Sequence, residues 1–439
     1  MKRIIISMTA LVSFTSCYNE DTINQIETSP FTSLNLLYEA QYKVSMKEAK
    51  LIALDFVEDL YADTRYGEVK QIESVIPWCY DDIFVSSRND AHQDNIPDTM
   101  LYIVNFKNNQ GYALISADKR VEGVMALVDS GSLCPNMGID NPGFIVFLDG
   151  LREYFLSELS NYPPVIPRDT LVTDTMINGH DPGIIPRWTI TERIDPILTT
   201  RWGQGAPYNT FCFTSEGEQA LAGCGAIAVA QVLGCHRYPS NYNGRVIHWD
   251  EIMMSEQPVT DIACDDLAYL ISEIGVLTNM QYGVYLSSTA PANIDTCLNI
   301  LNYNHALDVA LGDSFYNGTH FERLMSNFSL GRPVIISGHG HQHITVNNAS
   351  TILPFHHLWV LDGGLVRHDN QAMMSGNSLQ QADYHYVHCN WGWNGENNGY
   401  FINEAFRQKY DEEEDILELS PFDITWGFCL FYDTYPNGQ

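Results

Sequence analysis

The sequence is short of positive charge. Its 439 residues carry 23 Lys and Arg against 54 Asp and Glu, a formal net charge of −31. So acidic a chain repels phosphate backbones and anionic headgroups, which excludes nucleic acid and a charged bilayer surface as main partners. It also lacks a membrane span where one would first be sought: the N-terminal apolar stretch, Ile4 to Phe14, is too short to cross a bilayer. No repeat at a fixed period is visible. Ten cysteines are present, yet no compact spacing recurs, and 45% hydrophobic residues give a core large enough to need no staples. The cysteines cannot be paired from their order, and several are expected to sit reduced in the core.

What is present begins with a targeting segment. Lys2 and Arg3 precede the apolar stretch, and the small residues Thr15 and Ser16 lead to Cys17. Cys17 in this position resembles the lipobox of bacterial lipoproteins. That implies loss of residues 1–16, lipidation of Cys17, and export to the outer membrane or cell surface with the lipid as the only membrane contact. Residues 17–35 read as a polar tether.

Beyond it, Ser45 to Tyr61 has helical apolar spacing with Ser45 as N-cap. Met100 to Phe106, the turn Lys107 to Gly111, and Tyr112 to Ser116 form a hairpin pattern. Val124 to Val128 reads as a strand and Phe144 to Leu159 as a helix. A unit of about 120 residues of this kind can stand as a domain. Residues 162–194 break the pattern with Pro163, Pro164, Pro167, Pro182 and Pro186, the composition of a linker. Arg168 and Arg187 make it a candidate cleavage region, with an ordinary connector equally compatible. After it, helices are expected over 265–278, 291–303 and 321–330. Strands are expected at 306–311, 333–337, 344–346, 358–361, 384–389 and 399–402. A helical half followed by a strand-rich half predicts an α+β fold.

Chemistry centres on Ala222-Gly-Cys-Gly-Ala-Ile-Ala-Val-Ala-Gln231. A loop ending at Gly223 places Cys224 at the start of a helix, where unsatisfied backbone N–H groups favour the thiolate. A buried structural cysteine is the rival reading. It loses ground because partners follow in order. His357 begins a strand and could serve as base. Asn390 could accept from one ring nitrogen and leave the other for sulfur. Gln204 could aim its amide at an oxyanion beside the Cys224 N–H.

These residues carry a resemblance to the streptopain-type (C10) peptidases, a branch of the papain-like cysteine peptidases. The matching segments are Trp202-Gly-Gln204, Pro207-Tyr-Asn209, Gly223-Cys224, Ala230-Gln231 and His236-Arg-Tyr-Pro239. They continue with Gly331-Arg-Pro-Val334, His357-x-Trp-Val-x-Asp-Gly363, Asn390-Trp-Gly-Trp393 and Asn398-Gly-Tyr-Phe401. Tyr102-Ile-Val-Asn-Phe106 and Gly111-Tyr-Ala-Leu-Ile-Ser-Ala-Asp118 resemble the family's inhibitory propeptide. The resemblance implies a papain-like catalytic domain over 195–439 and an inhibitory propeptide over 36–161. It makes Cys224 the nucleophile, His357 the general base and then acid, and Asn390 the group orienting the imidazole. Trp391 would shield that bond and Gln204 would complete the oxyanion hole. The substrates implied are proteins or peptides, with the chain's own propeptide as intramolecular inhibitor and no cofactor.

The sequence departs from the family pattern at two places. His356 stands where a glycine usually precedes the catalytic His, and the polar insert Asp369 to Asp383 lengthens the segment before Asn390. His339, His341 and His343 form an alternating run, read as a polar loop with no metal requirement. Two rival functions remain. One is a papain-like acyltransferase, which would incorporate an added amine. The other is a degenerate surface-binding lipoprotein, which would ignore a thiol-directed affinity label.

Overall fold

The computed structural model describes residues 42–61, 70–79, 99–135, 138–160, 188–310, 318–346, 349–369, 383–406 and 428–438. The expected signal segment, Cys17, the tether, and the arginines of the cleavage region lie outside them, as does nearly all of the polar insert.

Helix α1 (Met46–Tyr61) starts where the capping residues dictate. The Ser45 hydroxyl accepts from Glu48 N–H at 3.2 Å, and the Glu48 carboxylate accepts from Ser45 N–H at 2.7 Å, a reciprocal box that satisfies two otherwise orphaned donors. Its Ala49, Ala53, Phe56, Val57 and Leu60 are buried. They face an antiparallel meander of β1 (Ile72–Cys79), β2 (Thr99–Phe106), β3 (Tyr112–Ser116) and β4 (Val124–Val128), and α2 (Pro142–Ser160) follows.

The rest of the chain runs β5 (Trp188–Ile194), α3 (Cys224–His236), a short ribbon of β6 (Asn241–Tyr242) and β7 (Arg245–Val246), and α4 (Trp249–Ile252). Next come α5 (Asp261–Leu277), α6 (Pro291–Ile300), β8 (Tyr303–Ala310) and α7 (Gly318–Ser329). Long strands β9 (Val334–Val346) and β10 (Ala349–Asp369) precede β11 (Asp383–Asn390), β12 (Gly399–Ile402) and β13 (Phe428–Pro436). The fold is α+β, as expected.

The meander and the later strands form one 11-stranded sheet, ordered β1-β2-β3-β4-β12-β11-β10-β9-β13-β8, with β5 paired to β10. The seam between the N-terminal and C-terminal parts is the ladder of β4 and β12, with Gly399 opposite Val128, Tyr400 opposite Leu127 and Phe401 opposite Ala126. One hydrophobic cluster crosses that seam, from α1 and α2 through Trp359, Trp391 and Phe401. A second joins α3, α5 and α6 to Leu358 and Val360 of β10. Backbone pairing and core are continuous across this seam.

Three local expectations change. The linker ends earlier, because Trp188–Ile194 pairs with β10; its alternating Thr and Ile residues suit a strand once Pro186 is passed. The run His339, His341, His343 is strand β9, not a loop. Strands β1 and β13 were not anticipated.

Candidate active site

Gly223, at φ +89°, turns the chain into α3, a backbone geometry that L side chains rarely adopt. Cys224 therefore opens the helix, 8% exposed. Burial pushes its thiol pKa up, and the backbone N–H groups at Leu358, Gly225 and Cys224, which favour the thiolate, only partly oppose it. The Leu358 contact brings β10 against the start of α3, so the sulfur lies beside the backbone that carries His357.

The Gln204 carbonyl accepts from Ala222 N–H at 2.9 Å, which fixes Gln204 next to the glycine–cysteine turn. Its neighbour Gly203 is packed so tightly that a Cβ there would lie 2.1 Å from Asn394 Oδ1. That contact and the Asn394 N–H bond to the Trp202 carbonyl, 3.0 Å, lock the Gln204 loop to the Asn390–Trp393 loop. Gly392 rests on Ile227 of α3. The structure thus gathers Gln204, Cys224, His357, Asn390 and Trp391 from four separate segments.

His357 is buried, with Nε2 donating to the Trp391 carbonyl at 2.8 Å. That bond sets the tautomer: Nε2 carries the proton and Nδ1 keeps its lone pair. Burial lowers the imidazole pKa to about 4, with the Trp391 carbonyl opposing. Asn390 does not hold the ring, contrary to expectation. Its Nδ2 donates to the Thr200 carbonyl at 2.6 Å and its Oδ1 accepts from Gly392 N–H at 3.3 Å. The amide is committed to the loop before α3, and a main-chain carbonyl one residue on meets the imidazole. Sulfur and imidazole are not hydrogen-bonded to each other. A raised thiol beside a neutral imidazole is not an ion pair.

Trp391 is fully buried, its N–H donating to the Asn398 side chain and its Nε1 to the Asn397 carbonyl. Its ring stacks obliquely on Trp359, with centroids 5.2 Å apart. The start of α2 lies on top of it. A Cβ on Gly143 would sit 2.2 Å from Trp391 Cε3 and 2.9 Å from His357 Cδ2. Asn141, just before, donates to the Glu396 carbonyl at 2.8 Å and caps α2 by accepting from Phe144 N–H. Sequence reasoning missed Gly143; the Pro142-Gly143 pair marks a helix start, but nothing local says what the helix start touches. Among the described residues, no group of three or more His, Cys, Asp or Glu is arranged to hold a metal ion, and no disulfide joins the nine described cysteines to one another.

Two family models match the chain: the Peptidase C10 family over residues 202–401 and the Spi protease inhibitor family over residues 41–155. Among curated relatives, streptopain of Streptococcus pyogenes is 21% identical over 345 residues, covering 70% of this chain and 74% of that protein. The thiol protease/hemagglutinin PrtT of Porphyromonas gingivalis is 22% identical over 330 residues, covering 69% of this chain and 34% of that one. A fragment of Prevotella intermedia prointerpain A superposes with a TM-score of 0.50 at 19% identity, over 78% of this chain and 98% of that one, a likeness of fold. With the inhibitor-type segment preceding the peptidase-type segment, the chain is a cysteine peptidase of the C10 family that carries an N-terminal propeptide.

Proposed function

We propose that this is the latent form of an exported cysteine endopeptidase, with Cys224 as nucleophile and His357 as its base. The observation that carries the reading is the seat of Gly143 on His357 and Trp391, which leaves thiol and imidazole uncoupled. In this reading residues 36–161 are the inhibitory segment. Cleavage within 162–187 releases it, and β5 stays on the catalytic part.

Withdrawal of α2 frees the histidine ring to turn Nδ1 toward sulfur, and Asn390 takes over from the Trp391 carbonyl. The thiol proton passes to Nδ1 and the thiolate attacks the peptide carbonyl, forming a C–S bond and an oxyanion. The Cys224 N–H and the Gln204 amide receive that charge. The imidazolium then protonates the departing amine as the C–N bond breaks. Water, deprotonated by the same imidazole, attacks the acyl-enzyme and releases the acid and the thiol. Trp391 keeps solvent from the bond that orients the ring. Proteins and peptides are the substrates, and the lipid at Cys17 tethers the enzyme to the outer membrane or cell surface.

The test compares the chain from residue 18 with its Cys224→Ala twin, both in reducing buffer. Shortening near the linker followed by degradation of an unfolded protein, in the wild type alone, supports the reading. Activity that depends on Cys224 but appears only after added protease cuts the linker keeps the enzyme and removes self-activation. A cut wild type as inert as the twin, and unreactive toward a thiol affinity label, overturns it. Amine incorporation into a glutamine-containing protein in place of hydrolysis would make it an acyltransferase. Loss of membrane association in Cys17→Ala tests the anchor.

A further inference from the structure

The catalytic reading leaves the alternating histidines unused, and their strand pairing is informative. His339 stands directly opposite His356 in the β9–β10 ladder, one register step from the Gly338–His357 pair. The two imidazoles are in contact, with ring centroids 3.7 Å apart and planes inclined by 57°. His356 is exposed and His339 half-buried, so the pair opens to solvent. Alternation along β10 sends the buried His357 to the other face. The backbone beneath the pair is braced: Gly338 lies against the Phe428 and Trp359 rings, and Gly340 lies under the Phe355 ring.

We propose that His339 and His356 form a surface site for a divalent transition metal of the zinc class, separate from the Cys224 centre and not required by it. Neutral imidazole suits Zn²⁺, Ni²⁺ and Cu²⁺, and hard oxygen-seeking ions are excluded by the same chemistry. Residues directly opposite in an antiparallel pair hold their Cβ atoms about 4.5–5.5 Å apart, close enough for both rings to reach one ion. With Zn–N bonds of about 2.0–2.1 Å at a tetrahedral angle, ring centres come to about 5 Å. The rings must open by roughly 1.5 Å from their present contact, a side-chain rotation that leaves the braced backbone in place. Water completes the coordination of a two-histidine site. His341 and His343 continue β9 at the same two-residue interval, opposite Pro354 and Ile352.

The test uses the full chain as Cys224→Ala, which removes the catalytic thiol as a competing ligand. Zinc chloride is titrated by calorimetry into this protein and into the same protein carrying His339→Ala and His356→Ala together, and each singly. The expected result is one zinc ion fewer bound by the double variant and affinity at least tenfold weaker in each single one. Nickel should behave in parallel, and magnesium should give no signal. His356→Asn, a change at an exposed position, guards against misfolding and should also weaken binding at least tenfold while the melting temperature stays put. Equal stoichiometry and affinity in the double variant would overturn the site. So would loss that follows His341→Ala and His343→Ala but ignores the pair.

Discussion

At the scale of single residues, Gly143 brings the propeptide against two of the proposed catalytic residues. Its missing side chain is the space that Trp391 and His357 occupy. Gly143→Ala must push the helix start off the site, since overpacking of this kind costs about 1–3 kcal/mol. We expect the variant to mature faster than wild type, by roughly 5-fold to 150-fold if the whole cost falls on docking. The measurement is the lag before activity appears, with final kcat/KM unchanged because the glycine leaves with the propeptide. A lag equal to wild type would mean that α2 does not hold the latent state. Asn390 makes a complementary case. Its bonds to Thr200 and Gly392 give it a structural role here and an orienting role only in the proposed active form. Asn390→Ala should therefore lower both the melting temperature of the zymogen and kcat of the mature enzyme; a loss in only one would assign it only one role.

Elements divide the labour. Helix α5 braces the cysteine helix through Leu267, Leu270, Ile271 and Ile274, which share a core with Ile227 and Val229. It is capped by Thr260, whose hydroxyl accepts from Ala263 N–H at 3.1 Å. Thr260→Ala should cost about 1 kcal/mol, a fall of about 2–4 °C in melting temperature for a domain of this size. Activity per folded molecule should be unaltered, because the Thr260 hydroxyl bonds Ala263 and Glu251 and not a site residue. The seam is held differently. Beside the β4–β12 ladder, Phe144 and Phe147 of α2 meet Phe401 with centroids 6.1 and 4.7 Å apart, and Trp391 meets Phe401 at 5.1 Å. Each such pair adds about 0.5–1.5 kcal/mol beyond area burial, so the helix that covers the site is anchored by rings of the strand next to it.

Over the whole molecule, charge also joins the two parts. Arg367 of β10 is fully buried. It faces Asp55 at 2.8 Å, Glu122 at 3.3 Å and Asp59 at 4.0 Å, all on the propeptide side. The guanidinium also lies over the rings of Phe56 and Trp188, and Tyr386 donates to Glu122. His388 is buried between Asp362 of its own part and Asp129 of the propeptide, and these carboxylates raise its pKa to about 10 against the effect of burial. Arg367→Ala would strand carboxylates in a buried site, a loss of about 3–5 kcal/mol for a broken buried pair. Partial exposure of Asp55 and Asp59 discounts this toward the lower end. The linker-cut Cys224→Ala complex should then fall apart at concentrations where wild type stays joined, as gel filtration would reveal.

Three carboxylates around one guanidinium also make docking proton-linked. Burial, with Asp55 and Glu58 adding to it and Arg367 opposing, raises Asp59 from 3.8 to about 6, and burial raises Glu122 as well. A group whose pKa is higher docked than free takes up a proton on docking. The Asp59 contribution is therefore complete below its free pKa and is lost as pH rises to about 6. The propeptide should bind more tightly in acid, by less than tenfold per pH unit for this one group. His388 acts in the same direction at higher pH, because its docked pKa of about 10 exceeds the ordinary histidine value. Dissociation of the cut complex measured from pH 4 to pH 7 should show the slope, and Asp59→Asn should flatten it. A slope of opposite sign would refute the linkage.

Much of this protein was legible from residue order alone. Capping at Ser45, the hairpin around Lys107–Gly111, and the apolar run after Cys224 are local patterns, and local patterns fix local structure. The candidate site residues could be named because each sits in a distinctive short segment, at a turn or element end that a few neighbouring residues determine. What only the tertiary structure decided are contacts between positions far apart in the chain. Gly143 meeting His357, β4 joining β12, Arg367 gathering acids from α1, and His339 facing His356 all depend on strand register and sheet order. No short window of sequence says which partners such a contact will pair, and a register shift of one residue would send each strand side chain to the opposite face.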